Sequence, residues 1–294
     1  MRSPDQVCAG ASRFADARGL RTHYFDWTGG DPPIVLLHGL SANACEFGGI
    51  VRAGLVPAHR VIAPDLRGRG RTATPRDGYG MAEHARDVLA LMDLLALDRV
   101  ILGGHSFGGF LAIYLAAHHP GRFERLVVLD VAITLQPYVR DLLRPSLERL
   151  TRVSASAAEY LAEVRGASYM GGVWDEATEA YFRAEMDEHP DGTVRSTTSA
   201  YAVQRTLQSV GAERWDELVR MVRVPALLFH APGPYGEAGA PPLIDADSAR
   251  ATAAAFTECQ YIPVPVNHLT MVFGAGARVI ARGIHAFARG EDPI

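Results

Sequence analysis

The sequence contains little of what marks a secreted, membrane-bound or disulfide-rich protein. Its 294 residues include three cysteines, Cys8, Cys45 and Cys259. A small, odd and widely spaced set of cysteines favours free thiols in a reducing compartment over a disulfide framework. Charged residues such as Asp5 and Arg13 interrupt the N-terminal stretch, so no signal peptide is expected. No apolar run reaches the ~18 to 20 residues of a membrane span. We therefore expect a cytoplasmic protein with no membrane span.

The chain also lacks the excess of basic charge that nucleic-acid-binding proteins carry. The formal net charge is −4, with 21% charged and 48% hydrophobic residues. The apolar content is too high for a disordered chain, and the length is sufficient to bury a large core. Nucleic acid is therefore not an expected partner. The composition does not distinguish a monomer from a homodimer.

Short, uniformly apolar segments alternate with helical patterns in the first half of the chain. An amphipathic helix is predicted over residues 82–97, and a helix that is apolar on nearly all sides over 107–119. Uniformly apolar strands are typical of a parallel sheet that is covered on both faces. Strands alternating with helices predict an α/β fold, and the predicted strands are Ile34–Leu37 and residues 61–63, 100–103 and 126–129.

The alternation stops at about residue 132, and no convincing strand follows until residue 222. Ser156 and Asp175 are candidate N-caps for helices within this insertion. Apolar strands then return at 226–229 and 260–264, and a last helix is predicted over 277–288. A helical insertion between the two parts of one sheet is therefore expected.

One pentapeptide, Gly104-His105-Ser106-Phe107-Gly108, lies between a predicted strand and a predicted helix. A Gly-x-Ser-x-Gly sequence in this context is typical of the nucleophile elbow, a tight turn that exposes a serine hydroxyl above the sheet. The glycines allow the turn and the close approach of strand and helix, and the helix N-terminus favours a developing anion. The alternative is a plain turn between strand and helix. We expect Ser106 to be a catalytic nucleophile.

A serine nucleophile needs a base and two donors for the oxyanion. His268 follows the last predicted strand, where a loop at the carboxyl edge of the sheet would bring it toward Ser106; a loop histidine without a special role is the alternative. The backbone N–H groups of Leu40 and Phe107 are the expected oxyanion donors; a simple turn at Gly39 is the alternative. His38 is interpreted as a structural hydrogen-bonding residue.

The carboxylate that would orient the histidine is less clearly marked. Asp130 directly follows the strand at 126–129 and is favoured, while a helix or loop cap is its alternative role. The fallback acids are Glu237 and then Asp245, which lie beyond the strand at 226–229. Such a carboxylate holds the imidazole tautomer and stabilises the imidazolium.

A second loop, from Asp65 to Arg71, interleaves glycines with three arginines. It lacks the Lys-Ser/Thr ending of a phosphate-binding P-loop. We expect a loop that Asp65 orders, with exposed arginines.

Together these pieces resemble the α/β-hydrolase superfamily over nearly the whole chain. The matching motifs are His38-Gly39, the Asp65-x-x-Gly-x-Gly loop, the elbow with Gly109, and Asn267-His268, in the family's order. The resemblance implies a mostly parallel eight-stranded sheet flanked by helices. It divides the chain into a core at 1–132, a helical cap at 133–222 inserted after the sixth strand, and a core at 223–294.

The same resemblance implies a hydrolase with Ser106 as nucleophile and His268 as general base, but it does not name a substrate. Because a helical cap would enclose an apolar pocket, we expect a cofactor-independent, metal-free hydrolase that acts on a small or medium apolar ester or lactone through an acyl-enzyme on Ser106. Carbon–carbon bond hydrolysis, thioesterase activity, perhydrolysis and a non-catalytic, receptor-like role stay open. Most members carry the acid after the seventh strand and some after the sixth, which is the position of Asp130. Serine at the elbow argues against epoxide hydrolases and haloalkane dehalogenases, whose nucleophile is aspartate. Seven large side chains of the cap are candidates to line the pocket, and at least half of them are expected to form the core of the cap instead: Tyr138, Tyr160, Tyr169, Met170, Trp174, Tyr181 and Phe182.

Overall fold

A computed structural model describes residue 8 and residues 10–293 of the chain. Within these residues the strands are β1 Ala11–Ala17, β2 Leu20–Trp27, β3 Ile34–Leu37, β4 Val61–Pro64, β5 Val100–His105, β6 Phe123–Leu129, β7 Met186–Glu188, β8 Val194–Ser196, β9 Ala226–His230 and β10 Cys259–Pro263. The longer helices are α1 Met81–Leu94, α2 Phe107–His118, α3 Val139–Glu148, α4 Ala157–Gly166, α5 Glu176–Glu185, α6 Ala200–Val210, α7 Trp215–Met221, α8 Ala246–Ala255 and α9 Gly274–Ala288. Short helical turns occupy Ala44–Phe47, Gly48–Ile50 and Val51–Leu55.

Eight strands form one sheet in the order β1-β2-β4-β3-β5-β6-β9-β10. The pairs β1–β2 and β2–β4 are antiparallel, and the other neighbouring strands are parallel. The prediction of a mostly parallel eight-stranded sheet flanked by helices is confirmed. The carboxyl ends of β3, β5, β6 and β9 therefore meet at one edge, where ligands bind in open α/β sheets.

The central strands are uniformly apolar because helices cover both faces of the sheet. Side chains at alternate strand positions enter two different cores. Leu36, Ile101 and Phe229 pack in one core with α9 and the short turns after β3. Leu102 and Val128 pack in the other core with α1 and α2.

The segment between β6 and β9 holds helices α3 to α7, as a helical insertion predicts. Both predicted N-caps are present: Ser156 Oγ accepts the Glu159 N–H at 3.2 Å, and Asp175 Oδ1 accepts the Thr178 N–H at 2.8 Å. The expectation of no strand in this segment is wrong, since β7 and β8 form a two-stranded antiparallel hairpin. These strands are three residues each and largely polar, too short to show an alternating pattern.

The last helix of the insertion packs on the core. The Trp215 ring of α7 lies 4.6 Å from the Phe110 ring of α2, centroid to centroid. The division of the chain at residues 132 and 222 stays a prediction.

The expectation of three free thiols is wrong for two of them. Cys8 and Cys45 form a disulfide, while Cys259 is free. A separation of 37 residues along the chain gave no sign of this pairing. The fold brings the two together because the Cys8 carbonyl accepts the Trp27 indole N–H at 3.1 Å, beside the turn that carries Cys45. The cytoplasmic location, which relied on free thiols, stays a prediction. In residues 8 and 10–293, no helix has the length and apolar character needed to cross a bilayer.

Candidate active site

Ser106 occupies a tight turn between the end of β5 and the start of α2. Its backbone φ is +53° and its ψ is −118°, a conformation that residues other than glycine rarely adopt. The turn requires both flanking glycines. A Cβ at Gly104 would lie 2.0 Å from the Gly108 carbonyl oxygen, and one at Gly108 would lie 1.9 Å from the Leu37 carbonyl oxygen. The strained turn leaves the Ser106 side chain half-buried at the carboxyl edge of the sheet.

Asp130 and His268 meet at the same edge. His268 Nδ1 lies 2.7 Å from Asp130 Oδ2, and both side chains are buried. The other carboxylate oxygen, Asp130 Oδ1, accepts the Ala231 N–H at 2.8 Å. Because a carboxylate accepts the Nδ1 proton, Nε2 is left as the acceptor nitrogen of a neutral imidazole.

Ser106 and His268 line one cavity above the sheet. Among residues 8 and 10–293, Ser106 Oγ makes no hydrogen bond to the His268 ring. Hydrogen bonds of this kind are often long before substrate is bound. The fold thus brings together all three predicted catalytic side chains, while their roles stay predictions.

The two predicted oxyanion donors lie beside Ser106. Leu40 and Phe107 both line the cavity, and their backbone N–H groups have no hydrogen-bond partner within the described part of the chain. The Leu40 loop is held from two sides. Glu46 Oε2 accepts the Gly39 N–H at 3.0 Å, and the Leu40 carbonyl accepts Arg69 Nε at 3.0 Å. The donor at Leu40 is therefore held in place before any substrate arrives, as an oxyanion site requires.

The expectation of exposed arginines in the 65–71 loop is wrong for Arg67, which is buried, and also for Arg69. The Arg69 side chain is fully buried, because two of its nitrogens bond the carbonyls of Leu40 and Arg67 and a third bonds Thr206 Oγ1 at 3.0 Å. Asp65 does order the loop, as expected, by accepting the Arg71 N–H at 2.8 Å. Through Arg69, the loop therefore holds the Leu40 segment beside Ser106 in position.

A buried histidine–glutamate pair begins at the residue before Ser106. His105 Nδ1 lies 3.0 Å from Glu46 Oε1, and His105 Nε2 lies 3.0 Å from the His268 carbonyl oxygen. Burial acts to lower the pKa of His105, but the charge and hydrogen bond of Glu46 leave that pKa raised. Burial acts to raise the pKa of Glu46, and His105 leaves it lowered. The pair ties the Leu40 loop, the elbow and the His268 loop together.

The environment lowers the pKa of the His268 imidazole from its usual value near 6.5. Burial is the main cause, and the charge of His105 adds to it, with the two rings 4.6 Å apart. The hydrogen bond to Asp130 acts in the opposite direction. His268 is therefore neutral at pH 7, the form that a general base requires.

The other two candidate acids make no hydrogen bond to His268 within the described residues. Glu237 is exposed. Asp245 caps helix α8, with its Oδ1 accepting the Ser248 N–H at 2.9 Å. His38 has the structural role expected of it, since its Nε2 accepts the Leu66 N–H at 2.9 Å.

The cavity is closed on one side by the insertion. Tyr169, Tyr181 and Phe182 line it, and they are three of the seven cap side chains considered for this purpose. Tyr160 instead belongs to the core of the insertion. The remaining wall is mainly aliphatic and comes from α3, α6 and the loops after β3, β9 and β10.

Glu46, His105 and Arg69 were not predicted to contribute to this site. A weak signal for Glu46 was present, since it is an acid within the otherwise apolar turn Ala44–Phe47. No sequence pattern pairs it with His105, which is 59 residues away.

A family model described as alpha/beta hydrolase fold matches residues 32–231. The chain belongs to the α/β-hydrolase family. This α/β hydrolase is 29% identical to the 2-hydroxymuconate semialdehyde hydrolase of Pseudomonas sp. over 206 residues, 64% of this chain and 71% of that protein. It is 39% identical to the soluble epoxide hydrolase of Corynebacterium sp. over 113 residues, 38% of this chain and 39% of that protein. The chain spans about two fifths of the length of several curated relatives that it matches.

Among solved structures, E-2-(acetamidomethylene)succinate hydrolase superposes on the α/β hydrolase with a TM-score of 0.82 at 20% identity. The match covers 95% of this chain and 99% of that one. At this identity the likeness shows a common fold. The expected family and fold are confirmed.

Proposed function

We propose that this α/β hydrolase cleaves an ester or lactone through an acyl-enzyme on Ser106. His268 Nε2 accepts the Ser106 proton as Oγ attacks the substrate carbonyl, and the Leu40 and Phe107 N–H groups stabilise the oxyanion. Protonated His268 then gives its proton to the leaving alcohol. A water, activated by the same imidazole, hydrolyses the acyl-enzyme and regenerates Ser106.

The observation that carries the proposal is the Asp130–His268 hydrogen bond of 2.7 Å beside a strained serine turn. A plain strand-to-helix turn would need neither the positive φ of Ser106 nor a buried carboxylate–histidine pair at the same sheet edge. The backbone N–H groups of Leu40 and Phe107, which have no partner within the described residues, would supply the oxyanion donors that acyl transfer needs.

We propose that residues 133–222 act as the cap that selects a small or medium substrate. The largely aliphatic wall of the cavity, with Leu143 and Leu147 from α3, favours an apolar acyl or alcohol group. Neither a cofactor nor a metal takes part in the reaction that we propose.

Aryl esters of increasing acyl length test the proposal. The parent protein should release the phenol with saturation kinetics, and Ser106→Ala should lower kcat at least about a thousandfold, because the nucleophile is lost. Ser209→Ala is the matched control, since that hydroxyl bonds the Thr206 carbonyl within α6 and does not line the cavity. Equal, slow turnover by the parent and Ser106→Ala across the whole panel would refute the proposal.

Hydrolysis of a carbon–carbon bond in a diketone is the second candidate. It is favoured by the similarity to the 2-hydroxymuconate semialdehyde hydrolase, which covers 64% of this chain. A vinylogous 1,5-diketone offered beside the aryl esters distinguishes the two reactions. Higher kcat/KM for the diketone, abolished by Ser106→Ala, would make the ester activity secondary.

A further inference from the structure

One side of the otherwise aliphatic cavity carries a group of polar side chains. We call Ser146, Arg149, Tyr169 and Tyr235 the polar wall, and all four line the cavity. Ser146 and Arg149 come from the end of α3 and the turn after it, Tyr169 from the turn after α4, and Tyr235 from the loop after β9. Two parts of the insertion and one core loop therefore build one surface.

Arg149 is the charged member of the polar wall and is 8% exposed. Its Nη1 donates to Tyr160 Oη at 2.8 Å and forms an ion pair with Glu185. Glu185 and Tyr160 do not line the cavity, so they contact Arg149 on the side that faces away from it.

Nη1 makes both of these contacts, and the other two nitrogens of the guanidinium make no hydrogen bond within the described residues. The buried Arg149 Nε has no hydrogen-bond partner among residues 8 and 10–293. This nitrogen is closed off from the cavity, as is Glu185 Oε2, which also lacks a partner among these residues. Arg149 Nη2 is not buried in this way, so it is the donor that can bond a ligand oxygen in the cavity. A residue kept only for an ion pair with Glu185 would not need to line the cavity.

The polar wall reaches the candidate catalytic centre through Tyr235. The Tyr235 ring lies 5.8 Å from the His268 ring, edge-on, and stacks on Tyr169 at 5.9 Å. Its hydroxyl lies 3.0 Å from Ser146 Oγ. Burial raises the pKa of Tyr235 to about 12, so this hydroxyl keeps its proton at neutral pH.

We propose that the polar wall is a subsite for an oxygen acceptor on the substrate, a carbonyl or a carboxylate placed a few atoms from the scissile carbonyl. This inference rests on the proposed function and narrows its substrate class from a purely apolar ester to one with a second oxygen-bearing group. The Arg149 guanidinium and the hydroxyls of Ser146 and Tyr235 are the recognising groups. Arginine suits both acceptors, because its planar fork of donors can bond one oxygen or two.

Three 4-nitrophenyl esters of nearly equal length test the subsite: the pentanoate, the 4-oxopentanoate and the hemisuccinate. They differ at the far end of the acyl chain, which is apolar, a neutral carbonyl or a carboxylate. Rates are corrected for spontaneous hydrolysis with Ser106→Ala. We expect kcat/KM at least about tenfold higher for one of the two oxygen-bearing esters than for the pentanoate, as a hydrogen bond to a charged group provides. Preference for the ketone or the hemisuccinate identifies the acceptor.

The variants separate recognition from folding. Arg149→Met combined with Glu185→Gln removes both charges, and leaves no buried charge without its partner. Tyr235→Phe removes one hydroxyl of the polar wall. Tyr261→Phe is its matched control, since the Tyr261 hydroxyl lies 2.7 Å from His230 Nδ1 and Tyr261 does not line the cavity. We expect the double variant and Tyr235→Phe each to lower the preference for the oxygen-bearing ester, and Tyr261→Phe to keep it.

The outcomes distinguish this inference from the proposed function. If the parent hydrolyses all three esters with similar kcat/KM and Ser106→Ala hydrolyses none, the serine hydrolase stands and the subsite is refuted. If the preference exists but Tyr235→Phe and the double variant both keep it, the subsite is also refuted. Parent rates equal to those of Ser106→Ala on every ester refute the proposed function itself.

Discussion

Replacing Asp130 with asparagine should nearly abolish turnover while the fold is kept. The asparagine oxygen can still accept the Ala231 N–H, as Asp130 Oδ1 does at 2.8 Å. Its amide NH2 then faces His268 Nδ1, where the carboxylate oxygen lies at 2.7 Å. Because an amide donates there, the imidazole carries its proton on Nε2 and cannot accept the proton of Ser106.

The expected loss follows from this change of tautomer. An equivalent replacement in a serine protease lowers kcat about 10⁴-fold, which corresponds to roughly 5 kcal/mol of transition-state stabilisation. Pre-steady-state and steady-state hydrolysis of an aryl ester measure the loss, and thermal unfolding checks the fold. Asp245→Asn is the matched control, since that acid caps α8; it should leave both stability and kcat nearly unchanged, because asparagine caps a helix about as well as aspartate. A folded Asp130→Asn variant within tenfold of the parent kcat would refute the role of Asp130.

Three further predictions follow from the surroundings of the site. Because burial lowers the pKa of His268, the neutral base persists below pH 6.5. The midpoint of the acid limb of the kcat/KM profile should therefore lie below pH 6.5, and a midpoint above pH 6.5 would contradict this environment. Gly108→Ala should prevent folding or cost several kcal/mol in a urea titration, since its Cβ would lie 1.9 Å from the Leu37 carbonyl oxygen; an unchanged midpoint would contradict the close approach at the elbow. Glu46→Gln should lower the free energy of unfolding by about 1–3 kcal/mol, because it removes the charge that His105 faces at 3.0 Å; equal stability at pH 7 would contradict a charged pair.

Local patterns predicted the framework of the sheet well. Uniformly apolar strands such as Ile34–Leu37 and the strand-turn-helix around Ser106 have signals within a few residues, and both are present. Strand β1 has no such signal, because it is an edge strand with mostly exposed side chains. Helix α8 was also missed, since its sequence ADSARATAAA has few large apolar residues to mark a face.

Some residues of the candidate site also have a local sequence signal, and others have none. Ser106 and His268 each follow a predicted strand, so both could be selected as candidates from the sequence. The Glu46–His105 and Arg149–Glu185 pairs join residues 59 and 36 positions apart. Such contacts depend on how loops and the insertion pack in three dimensions, which periodicity and local motifs do not encode. The Cys8–Cys45 disulfide was missed for the same reason.

Covalent trapping shows directly whether Ser106 is the nucleophile. The protein is treated with an aryl phosphonate ester, which phosphonylates an activated serine and releases the phenol, and is then digested for peptide mass spectrometry. We predict one equivalent of label on Ser106, loss of ester hydrolysis in proportion, no label in Ser106→Ala, and labelling slowed by orders of magnitude in Asp130→Asn. Label on another residue, or full ester hydrolysis by a protein labelled at Ser106, would show that Ser106 is not the nucleophile.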